Sequence, residues 1–244
     1  FSSEPLIRQQ MDLFLSIKPF IKETYDILQK AITRKESILF EGAQGVFLDN
    51  DWGTYPFVTA SHAVTGAVTT GAGVSPSKLK EILAVTKAYT TRVGSGPFPT
   101  EQENKVGEKI RTIGAEFGAT TGRPRRCGWL DLEMLRFTAT LNGVTGWVVT
   151  KLDVLDTFSE IKVCTGYRLN GKETTYSELD AYDLAMVKPV YKIFPGWRIK
   201  TNQIKKYKDL PKEAKTYLAY LEKMTGVPVK WVSVGPERNQ TIKI

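Results

Sequence analysis

The sequence predicts an α/β fold that gives way to an α+β lobe in its second part. Short apolar runs stop in loops: residues 37–40 before Glu41-Gly42-Ala43-Gln44-Gly45, and residues 147–149 before Thr150-Lys151-Leu152-Asp153. Such runs have the form of buried strands, and ligands of α/β sheets sit at the carboxyl ends of strands. Between them, apolar residues recur at steps of three and four, the helical period. Past residue 160 the period becomes two, with Ile161, Val163 and Thr165 alternating before the hairpin turn signal Asn170-Gly171.

Taken in order, the opening stretch reads as helix, with Ile21, Tyr25, Leu28 and Ile32 on one face. The strand at 37–40 follows. Ser75-Pro76 has the form of a helix start, with Leu79, Ile82 and Leu83 as the buried stripe. Thr100 with Glu103 three residues on is a capping box, leading a helix through Val106, Ile110, Ile113 and Phe117. A further helix over 131–141 stops at Asn142-Gly143, and Trp147, Val148 and Val149 form the next strand. Pro211 opens a last helix that buries Ala214, Tyr217, Leu218 and Leu221 and ends at Gly226, before a final strand over 229–234. A boundary is expected near residues 85 to 95, giving domains 1–88 and 89–244.

Composition narrows the function. With 41% hydrophobic and 25% charged residues in 244, the chain can bury a core and is not disordered. No stretch approaches the ~18 consecutive apolar residues of a membrane span, so no membrane partner is expected. Two cysteines without C-x-x-C spacing argue against a disulfide framework and for a reducing, cytoplasmic setting. The lone His62 cannot build a His-rich metal site, and its plain reading is a partly exposed or core ring. Lys+Arg 34 against Asp+Glu 26 gives a net charge of +8, which favours anionic ligands. The chain begins at Phe1 with neither Met nor leader pattern, and a missing preceding segment is expected.

Two local signals carry chemistry. Thr150-Lys151-Leu152-Asp153 has the [N/T]-K-x-D spacing of guanine-reading elements. A carboxylate offers two acceptors that match guanine's N1–H and N2–H, while adenine presents an unprotonated N1 there. The lysine stem lies along the base with its ammonium in water. A strand-end salt bridge is the plainer alternative. Thr120-Thr121-Gly122-Arg123-Pro124-Arg125-Arg126 combines three guanidinium forks with hydroxyls and a glycine, an anion cradle unless it is only a solvated basic loop. Neither the glycines near 42–45 and 53 nor Gly71-Ala72-Gly73 precede the Lys-Ser or Lys-Thr of a Walker loop, so the chain carries no triphosphate cradle of that kind.

Six segments in this order resemble the adenylosuccinate synthetase family. They are Phe40-Glu41-Gly42-Ala43-Gln44-Gly45, Gly53-Thr54-Tyr55-Pro56, Gly94-Ser95-Gly96-Pro97-Phe98-Pro99-Thr100-Glu101, Phe117-Gly118-Ala119-Thr120-Thr121-Gly122-Arg123, Gly128-Trp129-Leu130-Asp131 and Thr150-Lys151-Leu152-Asp153-Val154-Leu155-Asp156. The resemblance runs to Gly235-Pro236 and covers roughly the C-terminal half of such an enzyme. It implies a P-loop-like nucleotide-binding sheet, its N-terminal part missing, joined to the α+β lobe with β-hairpins.

The resemblance further implies a GTP-dependent ligase of purine biosynthesis. IMP's 6-oxygen is phosphorylated by GTP, and L-aspartate displaces the phosphate to give adenylosuccinate. Gln44, Thr59 and Arg123 would bind IMP, with Gln44 at the 6-oxygen. Val93, Thr120, Thr121, Gly122, Arg123 and Arg125 would surround aspartate. Arg125, Lys151, Leu152, Asp153, Ser233, Val234 and Gly235 would bind GTP. The general base, general acid and Mg2+ ligands would lie outside this chain, which alone would be inactive, and the family is homodimeric. Pro124 falls where the family varies. The competing reading is a basic nucleic-acid-binding module built on Lys205, Lys206, Lys208, Lys212 and Lys215, but no RNP, KH or helix-turn-helix signature accompanies them, so no nucleic-acid partner is expected.

Overall fold

The computed structural model describes residues 3–118 and 122–244. By chain contacts the described residues form two compact units, one within residues 3–41 and 66–79, the other within 42–65 and 80–244.

The smaller unit holds α1 (Glu4–Ile17), α2 (Tyr25–Thr33) and α3 (Ala67–Ala72), none of which buries a residue fully. The opening stretch is therefore two helices, broken around Ile21, rather than one. Gln29 Nε2 donates to Gly73 O at 3.1 Å and ties α2 to the end of α3, where Gly73 adopts φ +64°. Residues 37–40 are not a strand: they pair with nothing among the described residues, and Leu39 is 87% exposed. A strand exists only by its ladder, so an apolar run without a neighbour stays irregular.

The larger unit is built on β1 (Leu83–Lys87), β2 (Thr90–Arg92), α4 (Lys105–Ile113), β3 (Arg126–Gly128), β4 (Leu130–Asp131), α5 (Leu132–Asn142), β5 (Gly146–Thr150), β6 (Glu160–Leu169), β7 (Lys172–Thr174), α6 (Ala181–Met186), β8 (Lys188–Pro195), α7 (Lys212–Thr225), β9 (Val229–Ser233) and β10 (Thr241–Lys243). The main sheet has the order β1-β5-β9-β10, parallel except for the last pair. A second sheet pairs β6 with β4 in parallel and with β7 and β8 antiparallel, and β2 pairs antiparallel with β3. The α/β-then-α+β reading holds, and the Asn170-Gly171 hairpin is β6–β7.

Three boundaries differ from the sequence reading. After Ser75-Pro76 there is only a single 3-10 turn over Pro76–Lys78, and Leu83 opens β1 instead of lining a helix. Its register with β5, Leu83 opposite Gly146 through Lys87 opposite Thr150, supplies ladder hydrogen bonds that outweigh local spacing. The capping box at Thr100 is not formed: α4 starts at Asn104, whose side chain accepts from Val106 N–H at 2.8 Å, and it ends at Ile113, short of Phe117. Thr100 is instead fully buried. Asp131 and Gly143 do cap α5, Asp131 accepting from the Glu133 and Met134 N–H groups and Gly143 turning left-handed at φ +60°.

The core lies between the main sheet and helices α5 and α7, with Ile110, Leu132, Val149, Leu152, Leu155, Leu218 and Val232 all at 1% exposure or below. Trp147 on β5 reaches α7, its indole N–H donating to Thr225 Oγ1 at 2.9 Å.

Candidate functional site

The carboxyl ends of β1 and β5 lie side by side, because Lys87 faces Thr150 in the ladder. Lys151, next along β5, turns left-handed at φ +59°, and a 3-10 turn over Leu152–Leu155 follows. Leu152, Val154 and Leu155 are buried and anchor that turn in the core. The Lys151 N–H donates to Ser233 Oγ at the end of β9, at 3.2 Å. Val234 continues from there buried, its N–H on Gln240 O at 3.0 Å. Lys151, Leu152, Asp153, Ser233 and Val234 thus sit at neighbouring strand ends, followed directly by Gly235. At Gly235 a Cβ would collide with the Gln240 side chain.

Asp153 is half-buried, and its Oδ1 is buried without a hydrogen-bond partner among the described residues. Burial pushes its carboxyl above the usual range, the nearby Asp156 charge adding to this. An acceptor withheld from both solvent and protein leaves a desolvation cost unmet within the fold.

The centre of the charged cluster is Glu116, a residue without a motif. Its side chain is fully buried, yet Lys87 Nζ and Arg125 Nη1 approach its oxygens to 2.8 Å, Lys151 Nζ to 3.1 Å, and the Tyr89 hydroxyl donates to it at 2.5 Å. Burial pushes this carboxyl up, but the Lys87 and Tyr89 hydrogen bonds and the surrounding cations outweigh it and hold the pKa at about 2. Lys87 is drawn below its ordinary value, by burial first and then by Lys151 and Arg125. Three cations around one carboxylate leave the cluster positive, which suits an anionic ligand. The Lys151 ammonium, expected to stay in water, also donates to Gly114 O at 2.5 Å, while its side chain remains 35% exposed. The salt-bridge alternative is thus present in this motif. The only trace of Glu116 in the sequence is its place across a glycine-containing loop from the arginines. Phe117 bridges Pro124 antiparallel, and Arg125 N–H donates to Glu116 O at 2.9 Å.

The arginine-rich loop is divided in use. Arg125 gives Nη1 to Glu116. Arg126, read above as part of the anion cradle, is spent on structure: its guanidinium forks onto Glu101 and donates to the carbonyls of Gly94 and Gly96. Gly122, at φ +64°, and Arg123 are exposed, while Thr120 and Thr121 lie outside the described residues. Val93 is 57% exposed at the end of β2. Beside it Arg92 donates to Thr54 Oγ1 at 2.9 Å and Phe57 O at 3.0 Å, holding the loop that carries Thr59. Thr59 is half-buried with its N–H on Leu48 O, and Gln44 is exposed at φ +60°. No contact joins Gln44 or Thr59 to the Glu116 cluster among the described residues. Arg92 and Glu116 are the residues that motif reading missed.

His62 is exposed beside Asp51, with Nδ1 3.5 Å from its carboxylate, and Asp49 completes a group of possible metal ligands. Asp49 is committed elsewhere: its Oδ1 accepts from the Asp51 and Trp52 N–H groups and its Oδ2 from Ala63 N–H. That set does not fit Mg2+, which asks for near-octahedral oxygen ligands and phosphate oxygens. Of the five lysines of the basic-patch reading, Lys205 and Lys215 are bonded to backbone carbonyls. Both cysteines are free and buried. No helix among the described residues is long and apolar enough to cross a membrane.

The adenylosuccinate synthetase family model matches residues 1–242. The chain belongs to that family. It is 51% identical over 227 residues to the adenylosuccinate synthetase of Lodderomyces elongisporus, covering 93% of this chain and 53% of that protein. The adenylosuccinate synthetase of Alkaliphilus metalliredigens is 46% identical over 242 residues, 99% of this chain and 57% of that protein. Among solved structures, the fully ligated adenylosuccinate synthetase of Plasmodium falciparum superposes with a TM-score of 0.96 at 34% identity, over all of this chain and 58% of that one. The chain therefore spans little more than half the length of the family members it matches, and its mixed α/β architecture is theirs.

Proposed function

We propose that this chain is the guanine- and aspartate-binding portion of an adenylosuccinate synthetase, which joins IMP to L-aspartate at the expense of GTP. In that reaction the γ-phosphoryl group passes from GTP to IMP's 6-oxygen. The aspartate amine then attacks C6, and phosphate leaves with the bound oxygen, giving adenylosuccinate, GDP and phosphate. The observation that carries the reading is the Asp153 carboxylate at the end of a parallel strand, one oxygen buried and unpartnered, beside a cluster of three cations on Glu116.

Within this reading Lys151, Leu152 and Asp153 take the guanine edge, and Ser233, Val234 and Gly235 border the base. Arg125 keeps guanidinium donors beyond the one given to Glu116 and, with Val93, Thr120, Thr121, Gly122 and Arg123, receives aspartate; it also reaches GTP. Arg123 serves IMP as well, with Thr59 and with Gln44 at the 6-oxygen. Residues 1–88 then belong to the IMP-binding domain and 89–244 to the lobe for aspartate and guanine. Mg2+ would supply charge neutralisation on the transferred phosphoryl group. Its ligands, like the general base and acid, are assigned to the length that relatives have beyond this chain. A cytoplasmic homodimer is part of the same proposal.

The test is a complete synthetase containing this chain, supplied with IMP, L-aspartate and either GTP or ATP. Adenylosuccinate formation with GTP and little with ATP is expected. Absence of product with either nucleotide, in a folded protein, would overturn the reading.

A further inference from the structure

We propose that Glu116 is a positioning residue that sets Lys151 and Arg125 together, so that the guanine side and the aspartate side of the site are adjusted as one. The inference rests on the function proposed above and concerns a residue to which that function assigns no role.

A carboxylate has about four lone-pair directions. Here three are taken by hydrogen-bond donors, Lys87 at the end of β1, Tyr89 before β2 and Arg125 before β3, and Lys151, after β5, adds an ion pair at 3.1 Å. The side chain is fully buried, so water cannot replace a donor that moves. Lys151 has one further anchor, Gly114 O, which belongs to the same turn as Glu116. Arg125 gives Glu116 a single nitrogen, and its fixed fork then points the remaining donors by the angle of that one bond. A rotation of the Glu116 carboxylate therefore moves the ammonium beside Asp153 and the guanidinium of the anion loop in the same event. The arrangement is electrostatically poised as well: without the Glu116 charge, three cations would face one another at close range and separate.

Charge and positioning make opposite forecasts for Glu116→Gln. Were Glu116 only a counter-ion that lowers the local potential, its neutralisation would tighten both anionic substrates. Positioning weakens both. In the complete synthetase we expect Glu116→Gln to raise KM for GTP and for aspartate each by about tenfold, the equivalent of one charge-assisted hydrogen bond, with KM for IMP within about twofold of the parent. On a Lys151→Met background the GTP effect of Glu116→Gln should shrink to the part carried through Arg125, which also reaches GTP, while the aspartate effect persists in full. A full GTP effect on that background, tighter GTP and aspartate, or an equal rise for all three substrates would overturn the proposal. Should Glu116→Gln not fold, Tyr89→Phe removes one neutral donor from the same carboxylate. It is expected to raise both KM values by about threefold, and unchanged values would overturn the proposal equally. Failure of the parent enzyme to make adenylosuccinate would instead count against the function proposed above.

Discussion

The Trp197 indole N–H donates to Asp156 Oδ1 at 2.7 Å, which fastens the turn carrying Lys151 and Asp153 to the segment after β8. Asp156 is buried and accepts two further bonds from Thr201, from its N–H at 2.7 Å and its hydroxyl at 3.0 Å. Asp153 and Asp156 thus differ within one short motif, the first keeping a buried oxygen without a protein partner and the second closed on the protein.

That division predicts different phenotypes. Asp156→Ala would leave the Trp197 and Thr201 donors buried and unmet, at about 1 to 3 kcal/mol for each group stranded in this way. Chemical denaturation should show a lower midpoint by that scale, with the m-value unchanged. Stability equal to the parent would mean that these donors find water.

Two carboxyls divide the pH dependence of stability. Burial, opposed by the Tyr167 hydroxyl and the α5 N–H groups, pushes Asp131 up to about 6, against about 3.9 for an unfolded aspartate. The folded state then binds this proton more tightly, so Asp131's contribution is full below pH about 4 and is lost as pH rises to about 6. Glu116, held at about 2, acts in the opposite sense: its contribution is present above the ordinary 4.5 and lost as pH falls toward 2. Asp131→Asn, which keeps an oxygen for the α5 cap, should flatten the stability profile between about pH 4 and 6 and leave the acid limb in place. An unaltered slope between those values would remove Asp131 as its source.

Gly114 marks how tightly the Glu116 cluster is built. Its φ of −76° suits any residue, so the constraint is steric: a Cβ there would overlap the Tyr89 hydroxyl and stand 2.8 Å from Ile110 O. Gly114→Ala should cost about 1 to 3 kcal/mol of stability, the usual range for overpacking. The Tyr89→Phe, Gly114→Ala double variant should recover part of that loss, since the overlapping oxygen is gone. No recovery would place the strain on the helix carbonyl instead.

What the sequence makes legible is what local chemistry decides. Asp131 and Gly143 cap α5 because capping needs only a side-chain oxygen at one end and freedom at positive φ at the other. The Thr150–Asp153 motif is readable because its residue types stand at a fixed short spacing at the end of an apolar strand. Long-range pairing hides the rest. Leu83 has helical spacing with Leu79 but a strand partner in β5, and residues 37–40 have strand composition but no ladder among the described residues. Glu116 lacks any pattern because its meaning lies in Lys87, Arg125 and Lys151, which only the fold brings together.

Asp153 offers the sharpest test of the nucleotide assignment, because one atom can be exchanged. Asp153→Asn replaces an acceptor oxygen with an NH2 donor, leaving one acceptor and one donor toward the base. Guanine presents two donors, so one N–H would face another donor at a cost of about 1 to 3 kcal/mol, or roughly ten- to a hundredfold in GTP affinity. Xanthine keeps N1–H and carries an oxygen at position 2 that accepts from the new amide. The variant in a complete synthetase should therefore prefer XTP to GTP, with KM for IMP and aspartate near the parent. The unpartnered Oδ1 sets the expectation for stability too, since no protein donor is stranded there and the denaturation midpoint should hold. Equal losses with GTP and XTP would assign Asp153 to the architecture of the turn, and unchanged use of GTP would remove it from the site.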